Sequence, residues 1–321
     1  MTRVWNLGAF AAALLASTAV AWLPSRAAPA AASAPSPTAP PLPLVDHSGF
    51  EAPRRDYRRI VSGTTIADAI LLAIAEPDRI AAFTAYSAEH AHDGHRYRGK
   101  PLVESLHDLE QVLALRPDLV FVAGPGDPRV AARLRDAGVV VYDLGEMRGM
   151  STLVPDVHEV AALLGHPERG DRFARALQED MDAVAAGVPA EGRERALYLG
   201  TYGGKMFGGA QGTSYHDVLV GAGFADAASA YRDWPEYSSE QVLAIDPDVI
   251  VTDLGMRRSL CEHAGLGTLR ACAAEGGVLE MDDGLLGTPG PDMVEAARDL
   301  RALALGRAAS GDPLPLEARR R

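Results

Sequence analysis

The hydrophobic positions of this chain fall into two patterns that alternate along its length. Short apolar runs rich in β-branched residues, at Ile60–Val61, Leu119–Ala123, Val139–Tyr142, Ala196–Leu199, Val249–Val251 and Val278–Met281, read as strands buried on both faces. Helical stretches such as Val130–Ala137 and Met293–Leu305 lie between them. Strands alternating with helices predict βαβ units and parallel sheets. One stretch stands out, Glu168–Val188. Its Phe173, Leu177, Met181 and Val184 recur at three- and four-residue spacing with no Gly or Pro between them, which predicts one long amphipathic helix.

Residues 108–122 and 238–252 match at most positions without a gap, at a constant offset of 130 residues. A period this long exceeds any solenoid repeat and indicates two similar lobes. In each copy an N-capping residue, Asp108 or Ser238, is followed three positions later by Gln111 or Gln241, a capping-box spacing that opens a helix. Pro117 or Pro247 then ends that helix ahead of a strand. Looser pairs agree: Gly63–Leu71 with Gly212–Val220, and Ala137–Asp143 with Gly276–Asp282. The expected fold is therefore α/β, with two βαβ lobes of parallel sheet joined by a single long backbone helix. A ligand cleft is expected between the lobes, at the carboxyl ends of the strands.

The two ends carry different signals. Arg3, the apolar run Leu7–Leu23, and small-x-small sites at Ala19–Ala21 and Ala28–Ala30 have the anatomy of a secretory signal peptide, with an uncleaved N-terminal anchor as the alternative. No cysteine lies near these sites, so a lipid anchor is not expected. The Ala/Pro/Ser segment Pro24–Pro43 reads as an extended linker. The expected organisation is a signal peptide at 1–23, a linker at 24–56, an N-terminal lobe at 57–167, the connecting helix at 168–188, a C-terminal lobe at 189–306 and a disordered tail at 307–321.

Composition narrows the function. With 321 residues, 47% hydrophobic and 23% charged, the bulk of the chain can bury a sizeable core. Its net charge of −12 leaves no footprint for nucleic acid. Lys100 and Lys205 are the only lysines among 31 basic residues, so a single arginine says little about function. Cys261 and Cys272 are too few for a disulfide scaffold, and their pairing stays open.

The repeated motifs, Leu109-Glu-Gln-Val-Leu-Ala-Leu-x-Pro-Asp-Leu-Val and Trp234-Pro-Glu-Tyr-Ser-Ser-Glu-Gln-Val-Leu-Ala-Ile-x-Pro-Asp-Val-Ile, resemble the paired signatures of the helical-backbone substrate-binding proteins of bacterial ABC importers. The resemblance runs from about Tyr57 to Leu305. It implies a periplasmic, monomeric, non-enzymatic protein that captures a metal chelate (an iron-siderophore, cobalamin or heme) and delivers it to an inner-membrane permease. It implies that Glu110 and Glu240, one on each lobe, dock onto that permease. An acid in a first helical turn also complements the helix dipole. Trp234 falls where similar cobalamin binders carry a pocket tryptophan. The stretch Met281–Pro291 resembles one in heme-binding members, although Asp292 stands where those members carry arginine, and their first-lobe Gly-Tyr is missing.

Tyr86, Ser105, His107, Arg148, Gln211, Thr213, Trp234 and Tyr237 are the candidate cleft residues: aromatics suited to a flat chelate, a histidine within reach of a metal centre, an arginine for a carboxylate, and polar groups at a helix start, where helix capping is the favoured alternative for Gln211 and Thr213. His90, His92 and His95 fall within six residues and offer ligands for a bare Zn²⁺, Ni²⁺ or Co²⁺ ion, against the alternative of a solvated polar loop. A secreted metal-dependent hydrolase built on that cluster is the rival reading. The chain contains no Gly-x-Ser-x-Gly elbow, no His-Glu-x-x-His and no phosphate-binding Gly-x4-Gly-Lys loop.

Overall fold

A computed structural model describes residues 42–91, 94–124, 127–263, 265–274 and 276–310. The expected signal peptide, most of the expected linker and the end of the tail lie outside them.

The N-terminal lobe contains β1 (Leu44–Val45), β2 (Glu51–Ala52), β3 (Ile60–Ser62), α1 (Thr65–Ile74), β4 (Ile80–Thr84), α2 (Ala85–His90), β5 (Leu102–Val103), α3 (Leu109–Ala114), β6 (Leu119–Gly124), α4 (Pro128–Asp136), β7 (Val140–Glu146) and α5 (Met150–Leu163). Its sheet has the order β5-β4-β3-β6-β7, and every neighbouring pair is parallel.

Helix α6 (Pro167–Val184) follows and leads into the C-terminal lobe. That lobe contains β8 (Arg195–Tyr198), β9 (Gly200–Tyr202), β10 (Lys205–Phe207), α7 (Ser214–Gly221), β11 (Ala225–Asp226), β12 (Glu236–Tyr237), α8 (Ser239–Ile245), β13 (Val249–Asp253), α9 (Arg257–Glu262), α10 (Arg270–Ala273), β14 (Val278–Met281), α11 (Asp283–Leu286) and α12 (Met293–Ser310). The parallel sheet here runs β11-β8-β13-β14, beside a small antiparallel sheet β12-β10-β9.

Alternation along the strands divides the core. Ile60, Leu119, Phe121, Val140 and Tyr142 point one way, and Val61, Val120 and Val141 the other, so each sheet is covered on both faces. The first face shares one continuous cluster with Ala196, Tyr198, Val249 and Val251 of the second lobe through Leu177 and Met181 of α6. Helix α6 packs on α1 and α5 on one side and on α7 and α12 on the other. A helix buried against both lobes is a stiff connection rather than a loose tether.

The repeat is realised in atomic detail. Asp108 and Ser238 cap α3 and α8 through the amides of Gln111 and Gln241, and in α8 the Gln241 side chain returns the bond to the Ser238 amide at 2.8 Å. Arg116 and Asp246, each before its proline, adopt left-handed φ of 50° and 42°. The next acidic residue then ties the strand: Asp118 accepts the amides of Arg58 (2.7 Å) and Arg59 (2.9 Å), and Asp248 accepts that of Arg195 (2.9 Å). Arg59 and Arg195 in turn donate to the last carbonyls of α3 and α8, at Leu115 (2.7 Å) and Ile245 (2.8 Å).

The structure departs from the sequence expectations at three boundaries. Residues 44–52, read as linker, form the antiparallel hairpin β1–β2. Asp46 holds it by accepting Phe50 N at 2.8 Å within the turn and Asp143 N at 3.0 Å on β7. Helix α6 stops at Val184 instead of Val188, because the chain turns at Gly187 with φ +83°. Helix α12 reaches Ser310, inside the stretch expected to be disordered. A disulfide joins Cys261 to Cys272 and fastens α9 to α10.

Candidate functional site

The carboxyl ends of the parallel strands carry the loops and helix starts that face across the lobes. Where α1 and α2 of the first lobe meet the loop after β14 of the second lies a cavity of about 470 Å³, within the usual range for small-molecule sites. Thr65, Tyr86 and His90 line it from the N-terminal lobe, and Asp282, Asp292 and Asp299 from the other. Tyr86 is 55% exposed, and its ring stacks on His90 with centroids 4.3 Å apart. Among the described lining residues three are aspartates, one is histidine, and none is lysine or arginine.

Helix α2, which presents Tyr86 and His90, is set by a buried carboxylate. Asp68 of α1, fully buried, accepts the amide of Thr84 at 3.2 Å and the Thr84 hydroxyl, and that hydroxyl caps α2 through Ser87 N. Burial pushes Asp68 up to about 6, against the lowering effect of its hydrogen bonds to Thr84, Ser87 and Ser62.

A second contact crosses between the lobes. Asp217 of α7 accepts the amide of Met150 at the first turn of α5, at 2.6 Å. Gly149 permits this approach, since a Cβ there would overlap the Asp217 carboxylate. Nearby, Arg148 donates to Glu146 at 2.7 Å and to Asp233, and its guanidinium lies 5.4 Å from the centre of the Trp234 ring. Trp234 remains 44% exposed.

Of the residues selected from sequence, Tyr86 and His90 line the cavity, and Arg148 and Trp234 meet each other across the lobes. The others go elsewhere. Ser105 and His107 line a separate space of about 370 Å³ within the N-terminal lobe, where His107 Nδ1 stands 3.9 Å from Asp127. Thr213 is fully buried and caps α7, donating to Ala210 O at 2.8 Å. Tyr237 is only 3% exposed and packs edge-on against Tyr231. Neither reaches a ligand surface. Gln211 pairs through its backbone with Arg232. The guanidinium of Arg148 is taken up by two protein carboxylates rather than offered to a ligand.

His90 Nδ1 lies 3.1 Å from Tyr86 O, and His95 is exposed on the turn after α2. Within the described residues these two join no group of three metal ligands, and His92 lies outside those residues. Glu110 and Glu240 are both exposed in the first turns of α3 and α8, and a hydrogen bond from Ser238 lowers Glu240 from the ordinary glutamate value. Sequence reasoning missed the contribution of the α1 start and the Asp217 contact. The recurrence of Gly63–Leu71 as Gly212–Val220, which aligns Asp68 with Asp217, was the signal that could have found both.

Two doubly wound lobes, one bridging helix and a cavity closed by both define a bilobal ligand-binding protein. The chain belongs to the periplasmic binding protein family, whose profile it matches over residues 60–299; these are substrate-binding transport proteins, not enzymes. Among relatives, it is 21% identical over 199 residues to the uncharacterized ABC transporter substrate-binding lipoprotein YvrC of Bacillus subtilis, covering 60% of this chain and 63% of that one. It is 28% identical over 146 residues to the vitamin B12-binding protein of Salmonella typhimurium, covering 45% and 54%. These matches span less than two thirds of either relative. Among solved structures, a possible iron-binding protein from Staphylococcus epidermidis superimposes with a TM-score of 0.68 at 16% identity, over 77% of this chain and 98% of that one. The heme-binding protein BhuT in complex with two hemes does so at 0.59 and 26% identity, over 77% and 97%. Among the described residues no helix is long and apolar enough to cross a membrane.

Proposed function

We propose that the protein is the periplasmic substrate-binding component of an ABC importer, and that it captures a metal chelate of the corrinoid class between its lobes. The acid-lined cavity is the observation that carries this reading. Corrinoids present a rim of neutral amides whose N–H groups suit carboxylates, and they carry no free carboxylate. Heme carries two propionates and many ferric siderophores are anionic, whereas Asp282, Asp292 and Asp299 line the cavity with hydrogen-bond acceptors that suit amide donors better than further carboxylates. The B12-binding name of the Salmonella relative supports the same choice. Tyr86 supplies an exposed ring face at the cavity for a flat macrocycle, and Trp234 is a second exposed ring outside its lining. Glu110 and Glu240 are the permease contacts in this account, and residues 1–23 the export signal.

The test is competition: the purified chain is dialysed against equimolar cyanocobalamin and hemin, and the retained ligand is read by absorbance. Cobalamin retained at one per chain is the expected result. Retention of hemin instead would sink the corrinoid assignment while leaving chelate capture standing. Retention of neither would count against both.

A further inference from the structure

Helix α5 carries Asp156 and Glu159 one turn apart on the same face, and the loop between β1 and β2 brings His47 to them from more than a hundred residues away. One ligand atom from each of the three residues lies within 4.8 Å of the others, and this is the only such trio among the described residues. We propose that His47, Asp156 and Glu159 bind a divalent transition-metal ion, with Zn²⁺ as the natural probe, and so clamp the N-terminal hairpin onto the first lobe. This site is separate from the inter-lobe cavity and does not depend on the identity of the transported ligand.

Three observations carry it. The first is an unpaired buried acceptor: Asp156 is 1% exposed, and its Oδ2 has no hydrogen-bond partner among the described residues. A buried carboxylate oxygen without a donor destabilises the fold unless a cation or proton meets it. The second is orientation: the Tyr142 hydroxyl donates to Glu159 Oε2 at 2.8 Å, the kind of outer contact that fixes a ligating carboxylate. The third is seating of the imidazole. His47 N donates to Asp143 O at 3.1 Å, and the ring lies directly over Gly145, where a Cβ would come within 2.5 Å of it. Gly145 has φ +72°, so its backbone and the ring above it both favour glycine. One imidazole and two carboxylates, with water in the remaining position, match the donor set and coordination number of Zn²⁺. Arg135 is paired with Asp46 at 3.2 Å, and among the described residues neither Asp156 nor Glu159 forms an ion pair.

The experiment is a calorimetric titration of the chelator-treated full chain with Zn²⁺, with thermal melts on the same samples. One Zn²⁺ per chain and a raised melting temperature are expected. In His47→Ala and in Glu159→Gln the affinity should fall at least tenfold. A variant with His90, His92 and His95 all changed to alanine should bind as the parent does. His47 lies on an exposed turn, so its replacement should leave the circular dichroism unchanged, and His47→Gln serves as a second version of the same test. Absence of stoichiometric Zn²⁺ binding, or binding that survives both His47 replacements, would overturn the proposal.

Discussion

Asp68 and Asp217 occupy equivalent positions in the two lobes, and each accepts a backbone amide at the start of a helix other than its own. Asp68 takes Thr84 N, at the start of α2 in its own lobe; Asp217 takes Met150 N, at the start of α5 in the opposite lobe. The same repeated residue thus orients the helix bearing Tyr86 in one case and fastens the lobes together in the other. Asp217→Ala strands the Met150 amide at the interface, so a loss of about 1–3 kcal/mol of stability is expected in urea unfolding. An unchanged unfolding midpoint would show that water replaces the carboxylate without cost.

Asp68 makes stability depend on pH with a defined sign. Its folded value of about 6 lies above the ordinary aspartate value, so between about pH 4 and pH 6 the folded state keeps a proton that the unfolded state has lost. Stability contributed by this group is therefore greatest in acid and declines as pH rises through that window. The rise from the ordinary aspartate value to about 6 corresponds to roughly 3 kcal/mol, and the Asp68→Asn variant should lack this component. Measured from about pH 4 to pH 7, the parent should lose about that much stability relative to the variant. A constant difference across the range would contradict the assignment.

Capture and delivery use separate surfaces in the proposed function. Glu110 and Glu240 stand outside the cavity, so the double change to lysine should leave ligand affinity within about twofold and abolish uptake in cells that depend on this importer. A loss of affinity in the purified double variant would place these residues in the binding site instead.

Trp234 offers an aromatic face beside Arg148. Trp234→Ala should weaken chelate binding by roughly threefold to tenfold, the value of one aromatic contact, without changing the melting temperature of the free protein by more than about a degree. Titration of the variant beside the parent decides this.

Much of the architecture was legible because the physics is local. The apolar strands, the capping-box spacings and the proline stops recur at one offset, and α6 announces itself by its apolar stripe. The site was less legible because its geometry is made by long-range contacts. Tyr237 is a cleft candidate by residue type, yet burial claims it; Thr213 caps α7, the role its place at a helix start already favours. Arg148 was chosen as a free cation, and Asp233, which no local pattern links to it, neutralises it. The β1–β2 hairpin escaped notice because two-residue strands carry no periodicity; what holds them is the Asp46 carboxylate, bonded to a strand far along the chain.

The most direct test of the central claim is a thermal-shift panel on the chain with cyanocobalamin, hemin, ferric hydroxamate and catecholate siderophores, and buffer alone. Since a ligand that binds only the folded state stabilises it by about 2.7 kcal/mol at a hundredfold excess over its Kd, cyanocobalamin should raise the melting temperature by several degrees. The continuous core through α6 should keep the far-UV circular dichroism unchanged at the same time. No shift with any chelate would contradict the account, as would a shift accompanied by a large gain of helix.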